Sequence, residues 1–151
     1  MTMFKTPYAK GLLTPPTPYV AGAEMVAIYT FAFTKAYSAA TDIIELGPLP
    51  GGAKLTGATL IGDGLGALTA DVGLMTGESG ALADSEGSQR ALTTALLFDA
   101  ASVNDNESNA TLGACLGIPA EIAARGIGAT LSGNVAAGAA KTLTLLLRYT
   151  F

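Results

Sequence analysis

The sequence lacks histidine and tryptophan, and it has one cysteine in 151 residues. Without histidine, the chain has none of the commonest general base, nucleophile activator and zinc ligand. Its single cysteine, Cys115, cannot form an intrachain disulfide, which is typical of a protein kept in a reducing compartment. The neighbours of Cys115 are apolar, and this favours a small buried residue over a reactive nucleophile.

Charge is scarce as well. Charged residues make up 13% of the chain, about half the usual share of a soluble domain. The formal net charge is −4, and residues 42–121 carry eleven acids against two bases, Lys54 and Arg90. Because Lys and Arg are not clustered, we expect no direct binding to nucleic acid. The low charge also indicates that part of the apolar surface is covered by another subunit.

Long hydrophobic runs are missing too. No stretch approaches the 18 or more uninterrupted apolar residues of a membrane-spanning helix. Residues 1–10 lack the apolar core of a secretory signal. We therefore expect neither a membrane protein nor an exported one.

Acidic pairs are the remaining candidates for catalysis, and none is convincing. Asp42 and Glu45 lie three residues apart in a predicted strand, so their side chains point to opposite faces. Asp63 and Asp71 flank a predicted turn, where solvated loop residues are the simpler interpretation. The sequence predicts no catalytic residue.

Two further segments superficially suggest a ligand. Gly62-Asp-Gly-Leu-Gly66 has the glycine content of a phosphate loop, but the residues after it predict a strand, not a helix whose N-terminus could hold a phosphate. Residues 99–107 offer several side-chain oxygens, but their spacing matches no EF-hand loop. We therefore predict a tight turn and a polar loop, with no cofactor and no metal.

From Glu24 onward the pattern is that of β-strands joined by Gly/Pro turns. The predicted strands cover residues 25–34, 42–46, 54–61, 68–75, 127–132 and 142–151. Residues 90–101 fit neither the helical nor the strand period, so a strand and a short helix both remain possible. The predicted turns and loops cover residues 47–52, 62–66, 77–89, 102–109 and 112–122, and a hairpin connection is predicted at 133–138.

The last strand is the clearest, because alternate residues are apolar along its whole length. Strands at this spacing predict an all-β fold, an antiparallel β-sandwich, for residues 24–151.

Residues 1–23 differ from the rest, since they hold four of the seven prolines. A segment so rich in proline cannot be helical, and we expect an extended arm. Such an arm needs a surface to lie on, which we expect to be a neighbouring subunit rather than its own domain. The predicted partner-binding residues are the apolar and proline residues of this arm, Phe4, Tyr8, Leu12, Leu13, Pro15, Pro16 and Tyr19.

Three short segments carry a family resemblance. Leu49-Pro-Gly-Gly-Ala53 is followed by Asp63-Gly-Leu-Gly66 and then by Val72-Gly-Leu-Met-Thr-Gly77. In this order they resemble a family of small head proteins of tailed bacteriophages. The runs beginning at Arg125 and Leu143 also resemble that family's last two strands.

The resemblance implies a jelly-roll or Ig-like β-sandwich on the outside of the capsid, acting as a decoration, or cement, protein. It implies a major capsid protein as partner, a dimer or trimer of this chain, and synthesis in the cytoplasm of a bacterial host. It transfers no catalytic motif.

Two other functions stay open at this point. A head-fibre base or carbohydrate-binding module would use the polar loops at 77–89 and 102–111, although these contain no Trp, Tyr or Phe to stack on a sugar. A hydrolase would need two acids that converge in a pocket.

Overall fold

The computed structural model describes residues 2–15 and 22–151. Within these ranges the chain forms nine strands and one short helix, arranged as two packed sheets. The elements are β1 Met3–Lys5, β2 Met25–Ala32, β3 Ile43–Leu49, β4 Lys54–Asp63, β5 Thr69–Glu78, β6 Leu92–Ser102, β7 Glu107–Asn109, α1 Leu112–Leu116, β8 Arg125–Leu131 and β9 Thr142–Thr150.

The strand order identifies the architecture. One sheet has the order β1-β3-β8-β5-β6 and the other β2-β9-β4-β7. Without β1, each sheet has four strands, and all neighbouring strands are antiparallel. Successive strands cross between the sheets except at β5 and β6, which is the arrangement of a jelly roll. The predicted all-β antiparallel sandwich is confirmed.

The core lies between the sheets, and β9 shows how the sequence builds it. Four of the five apolar residues of its predicted alternation, Leu143, Leu145, Leu147 and Tyr149, are fully buried, whereas the fifth, Phe151, lies beyond the strand and is exposed. Since β9 lies between β2 and β4, its backbone hydrogen bonds are made within the sheet on both sides. One face of this strand therefore holds the centre of the four-stranded sheet against the core.

The predicted hairpin at residues 133–138 is wrong. The strands on either side of it, β8 and β9, lie in different sheets, and each already has two neighbours. The connection instead crosses the end of the sandwich, where Val135 pairs with Tyr37. Two successive strands joined by a Gly-rich connection can either pair in one sheet or lie in different sheets. The residues of the connection do not decide between these two arrangements.

Residues 47–52 do not all form a turn, because β3 continues through Pro48 to Leu49. A proline removes a backbone donor, so it is tolerated only where one side of a strand is unpaired. This is the case here, since β1 pairs only with Ile43 to Glu45 and leaves the rest of that edge open. The Pro48 carbonyl accepts a hydrogen bond from the Tyr29 hydroxyl at 2.7 Å.

Three further segments are now defined. Residues 92–102 form strand β6, which settles the helix-or-strand alternative. The predicted loop at 102–109 contains the short strand β7, which pairs with β4. The apolar segment predicted as turns at 112–122 begins with α1, whose N-cap Thr111 accepts a hydrogen bond from Ala114 N at 3.1 Å.

The N-terminal segment differs from the expected extended arm. Residues 3–5 form β1, which runs parallel to β3, and the chain then turns back on itself at residues 7–11. The Thr6 side chain is buried and its hydroxyl donates to the Leu46 carbonyl. Among the residues described, 2–11 thus fold onto their own domain. A domain boundary at residue 23 stays a prediction.

Candidate interaction surface

The strand directions divide the loops between two ends of the sandwich. At one end β2 and β4 begin and β3 and β5 finish, and its connections are residues 6–15, 22–24, 50–53, 79–91 and 110–124, together with Phe151. We call this the apolar loop end. At the other end lie residues 33–42, 64–68, 103–106 and 132–141, which we call the opposite loop end.

The exposed large hydrophobic side chains are distributed unevenly between these ends. The described residues include ten, of which seven belong to the apolar loop end: Leu12, Leu13, Leu82, Leu112, Leu116, Ile122 and Phe151. The other three, Val26, Ile28 and Ile61, lie on the outer face of the four-stranded sheet. No described residue of the opposite loop end is among them. Leu82 lies apart from the other six, near Phe4 and Thr34. Single exposed apolar residues are normal, but a concentration in the connections of one end indicates a contact surface.

Two of these side chains are held beside a pair of glycines. Gly52 N donates to the Glu121 carbonyl at 2.6 Å, which ties the loop before β4 to the segment after α1. A Cβ added at Gly51 would overlap the Ile122 carbonyl, so the close approach requires glycine. The Ile122 side chain is fully exposed, and the Phe151 ring lies against Gly52. Both apolar groups are therefore presented by rigid backbone.

Leu13 lines a shallow depression together with Ala124 of the segment after α1. The depression has a volume of ≈ 400 Å³, and its walls include Tyr8, Leu13, Pro15, Pro48 and Ala124. Leu13 is half exposed, whereas Pro15 is buried. The depression thus joins the N-terminal segment to residues 119–124 as one surface.

A buried ion pair fixes the longest polar loop of this end. Glu45 and Arg90 are both fully buried, and Arg90 Nη1 lies 2.8 Å from Glu45 Oε2. Arg90 also donates to the carbonyls of Thr76 at 2.7 Å and Ala81 at 3.1 Å, and Gly80 N donates to Glu45 Oε1 at 2.9 Å. Because three of the five side-chain polar atoms of the pair bond to the backbone of Thr76, Gly80 and Ala81, the charges position residues 76–81.

Lys5 extends this network to the N-terminal strand. Its ammonium group lies 3.6 Å from Glu45 Oε2 and donates to the carbonyls of Gly80 and Ala81. A Cβ at Gly126 of β8 would overlap Arg90 Nη2 and come within 2.6 Å of Glu45 Oε1. One set of charges thus holds together strand β1, the loop after β5 and strand β8.

Sequence reasoning missed this ion pair. One signal was present: Glu45 is the only charged residue in the strand Ile43–Leu49, and all its neighbours in that strand are apolar. A lone acid in a buried strand needs a cationic partner. The partner, Arg90, is 45 positions away, and nothing in the sequence pairs the two.

The predicted partner-binding residues do not share one environment. Phe4 packs against Phe31, with ring centroids 5.7 Å apart, and Tyr8 packs edge-on against Tyr29 at 4.8 Å. These two aromatic rings therefore contact their own domain. Leu12 and Leu13 are exposed and available to a partner, Pro15 is buried, and Pro16 and Tyr19 lie outside the described residues.

Three of the four acidic residues considered for catalysis, Asp42, Glu45 and Asp71, accept hydrogen bonds from backbone amides. Asp42 accepts hydrogen bonds from Ser38 N at 2.9 Å and from the Thr41 hydroxyl at 3.1 Å. Asp71 accepts from Ala100 N at 2.7 Å. Across residues 2–15 and 22–151, no three His, Cys, Asp or Glu side chains come close enough to hold a metal ion.

The polar loops suggested for sugar binding, residues 77–89 and 102–111, belong mainly to different connections: residues 79–91 lie at the apolar loop end, and residues 103–106 lie at the opposite loop end. The one helix in the described part of the chain, α1, has five residues and could not cross a membrane.

Burial alters the titration of several core groups. The Cys115 thiol is fully buried, as the sequence predicted. Desolvation raises its pKa. Desolvation also raises the pKa of Tyr29 and Tyr37, and it raises that of Tyr149 to about 12. These groups stay neutral at any physiological pH and act as packing and hydrogen-bonding residues.

Comparison with known proteins gives structural neighbours only. No protein-family model matches the chain, and no curated protein matches it. A chain of the capsid of Ralstonia phage GP4 has the same fold, with a TM-score of 0.84 and 29% sequence identity over 99% of this chain and 97% of that chain. A chain of the capsid asymmetric unit of cyanophage Pam1 matches with a TM-score of 0.52 and 20% identity, over 92% of each chain.

The second likeness speaks for the fold alone, because its identity is low. The first extends over practically the whole length of both chains. This first neighbour supports a structural role in a phage virion.

Proposed function

We propose that this chain is a non-enzymatic structural protein of a bacteriophage virion, which attaches to the outside of the capsid as a decoration, or cement, protein. Its partner would be the major capsid protein, and two or three copies of the chain would act together across capsomer junctions. The observation that carries the proposal is the concentration of exposed large hydrophobic side chains at the apolar loop end, combined with full-length similarity to a chain of a phage capsid.

The energetics favour attachment through many side chains at once. Burying one Leu or Ile side chain contributes about 1.5–3 kcal/mol. Association costs about 4–15 kcal/mol in lost translation and rotation, so a single side chain cannot hold the protein in place. Several side chains on rigid loops can do so, because little further conformational entropy is lost on binding. The buried charges that fix residues 76–81 serve this rigidity.

The mechanical consequence follows from mass action. A protein that binds only the assembled shell lowers the free energy of that state relative to its separated subunits. If each copy bridges neighbouring capsomers, its interface must also break before the shell opens. Reactive side chains are not needed for such a role, only contact area of about 800 Å² per partner.

The test is attachment to particles that lack this protein. The double variant Leu12→Asp, Leu13→Asp places two charges on the apolar loop end and should reduce occupancy on the particle at least about tenfold. The matched control is Ala136→Asp, Ala137→Asp, an adjacent exposed pair at the opposite loop end. Occupancy is measured by cryo-electron microscopy and by band intensity of purified particles.

We expect the control to bind as the unchanged protein does. Equal occupancy of both variants would remove the apolar loop end from the mechanism. Absence of the unchanged protein from particles would refute the proposed function itself. A lower temperature of shell opening in particles without the protein would support the cement role in particular.

A further inference from the structure

The four sheet edges differ in how well they are protected against pairing with another strand. Strands β1 and β7 have three residues each. Strand β6 is long, but its register with β5 shifts three times and it carries Asp99. Short length, bulges and charges are the usual protection of an edge. Strand β2 has eight residues without a charge, a proline or a register shift against β9, so it lacks these protections.

The hydrogen bonds of Phe33 show which backbone groups of β2 face outward. Phe33 N donates to the Lys141 carbonyl at 2.9 Å, and its own carbonyl accepts from Gly138 N at 2.8 Å, both on the side of β9. Because the direction alternates along an antiparallel strand, the backbone groups of Val26, Ile28 and Thr30 point away from β9. Within the described residues, no strand pairs with that side of β2.

A cleft of ≈ 570 Å³ runs beside the last part of this edge, between β1 and β2. Its walls are residues 2–7 and Lys10 on one side and residues 30–32, Thr34 and Lys35 on the other, with Leu82 at the rim. Three lysines line the cleft, and none of its lining residues is acidic. This is notable in a chain whose net charge is −4.

Two of these lysines are available for a ligand. Lys5 is already engaged by Glu45. Lys10 and Lys35 form no ion pair with any described residue, and they precede and follow the uncharged strand at the two ends of the cleft. Positive charge therefore flanks a row of unpaired backbone donors and acceptors, which suits an extended chain that carries carboxylates.

We propose that the edge of β2 binds an extended, acidic segment of another polypeptide by strand addition, with its carboxylates near Lys10 and Lys35. In the virion this polypeptide would be a subunit of the shell, so the identity of the partner rests on the proposed function. A second copy of this chain fits less well, because its β2 carries no acid and the adjacent Glu24 already accepts a hydrogen bond from the Thr56 hydroxyl at 2.6 Å.

The first experiment identifies the occupant on assembled particles. A photo-crosslinking amino acid replaces Thr34, which lines the cleft, and the labelled full-length protein is bound to particles that lack it. We expect mass spectrometry to find the crosslink on an acidic segment of a shell subunit. A crosslink to a second copy of this chain, or none in particles at full occupancy, would overturn the proposal.

The second experiment separates backbone pairing from charge. Ile28→Pro removes a backbone donor on the open side only and should weaken binding to particles about tenfold, whereas Ile28→Thr keeps the donor and should change it less than about twofold. Lys10→Glu with Lys35→Glu should weaken binding about tenfold at low salt and far less at high salt. Its control, Lys141→Glu with Arg148→Glu, makes the same change in net charge outside the cleft and should bind normally.

The charge variant leaves β2 unaltered, so it tests the proposal even if Ile28→Pro does not fold. If both cleft variants bind normally while Leu12→Asp, Leu13→Asp does not, strand addition is wrong and the proposed function stands. If only the cleft variants lose binding, the attachment surface is the β2 edge and not the apolar loop end.

Discussion

The two loop ends of the sandwich close the same eight strands with different chemistry. The apolar loop end has long connections, exposes seven large hydrophobic side chains and is held by a buried ion pair. The opposite loop end is held by backbone pairing and by short side-chain contacts such as those of Asp42 and Asn134. The opposite end shows that this fold closes without exposed large hydrophobic residues, so closure of the sandwich does not explain their presence at the other end.

The largest effect should come from breaking the ion pair. Glu45→Ala leaves the Arg90 guanidinium buried without its counter-charge, and we expect a loss of about 3–5 kcal/mol in the free energy of unfolding. The measurement is equilibrium unfolding in denaturant. It compares the midpoint and also the slope of the free energy of unfolding against denaturant concentration.

The matched control at the opposite loop end is Asp42→Ala. Asp42 also accepts several hydrogen bonds, but they are largely exposed, so about 1 kcal/mol should be lost. Similar losses for the two variants would mean that the two ends are not held differently.

A smaller loss is expected when the space beside the ion pair is filled. Gly126→Ala places a methyl group against the buried guanidinium of Arg90, which has no room to move, and should cost about 3 kcal/mol. Gly113→Ala in α1 is the control, because no atom lies within 4 Å of its new methyl group. The control should be neutral or slightly stabilising, as alanine is in helices. Thermal unfolding of both variants decides the point.

Tyr37 tests the stability of the opposite loop end. Its hydroxyl donates to the Asp42 carbonyl at 3.1 Å and accepts from Leu131 N at 3.0 Å, so Tyr37→Phe leaves a buried backbone donor unpaired. We expect a loss of about 2 kcal/mol. Tyr29→Phe, which loses only the bond to Pro48, should lose about 1 kcal/mol. A larger loss for Tyr29→Phe than for Tyr37→Phe in urea unfolding would contradict these two hydrogen-bond roles.

The attachment variant Leu12→Asp, Leu13→Asp should have the smallest effect on stability, although it should strongly reduce attachment. Leu12→Asp with Leu13→Asp changes two exposed side chains and should alter the free energy of unfolding by less than about 0.5 kcal/mol. A large loss of stability would mean that these residues belong to the core, and the attachment experiment would then need other variants.

The strands were largely predictable because burial imposes a two-residue period. Strand β9 shows this best: its alternation is visible in the sequence, and the alternating residues Leu143, Leu145, Leu147 and Tyr149 are all buried. The connection from β8 to β9 was not predictable in the same way. Whether two successive strands pair or cross to the other sheet depends on which neighbours each already has, and this is a property of the whole fold.

The candidate surface was predicted only in part. Leu12 and Leu13 are exposed as a partner contact requires, but Phe4 and Tyr8 pack on their own domain. Strand β1 has three residues, too few to show a period, and its partner lies 40 positions further along the chain. The contribution of Ile122 and Phe151 also depends on distant backbone, since Gly51 and Gly52 bring both to the same end.

Thr2 and Phe151 lie at different ends of the sandwich, and this has a practical consequence. Thr2 N donates to Asp42 at the opposite loop end, whereas Phe151 belongs to the apolar loop end. A foreign domain fused ahead of Thr2 should leave the apolar loop end uncovered and should be displayed if that end alone contacts the shell, whereas a shell segment bound in the cleft beside Thr2 would be blocked by it. The same domain fused after Phe151 should block loading, and immunogold labelling of particles mixed with each fusion would distinguish the two orientations.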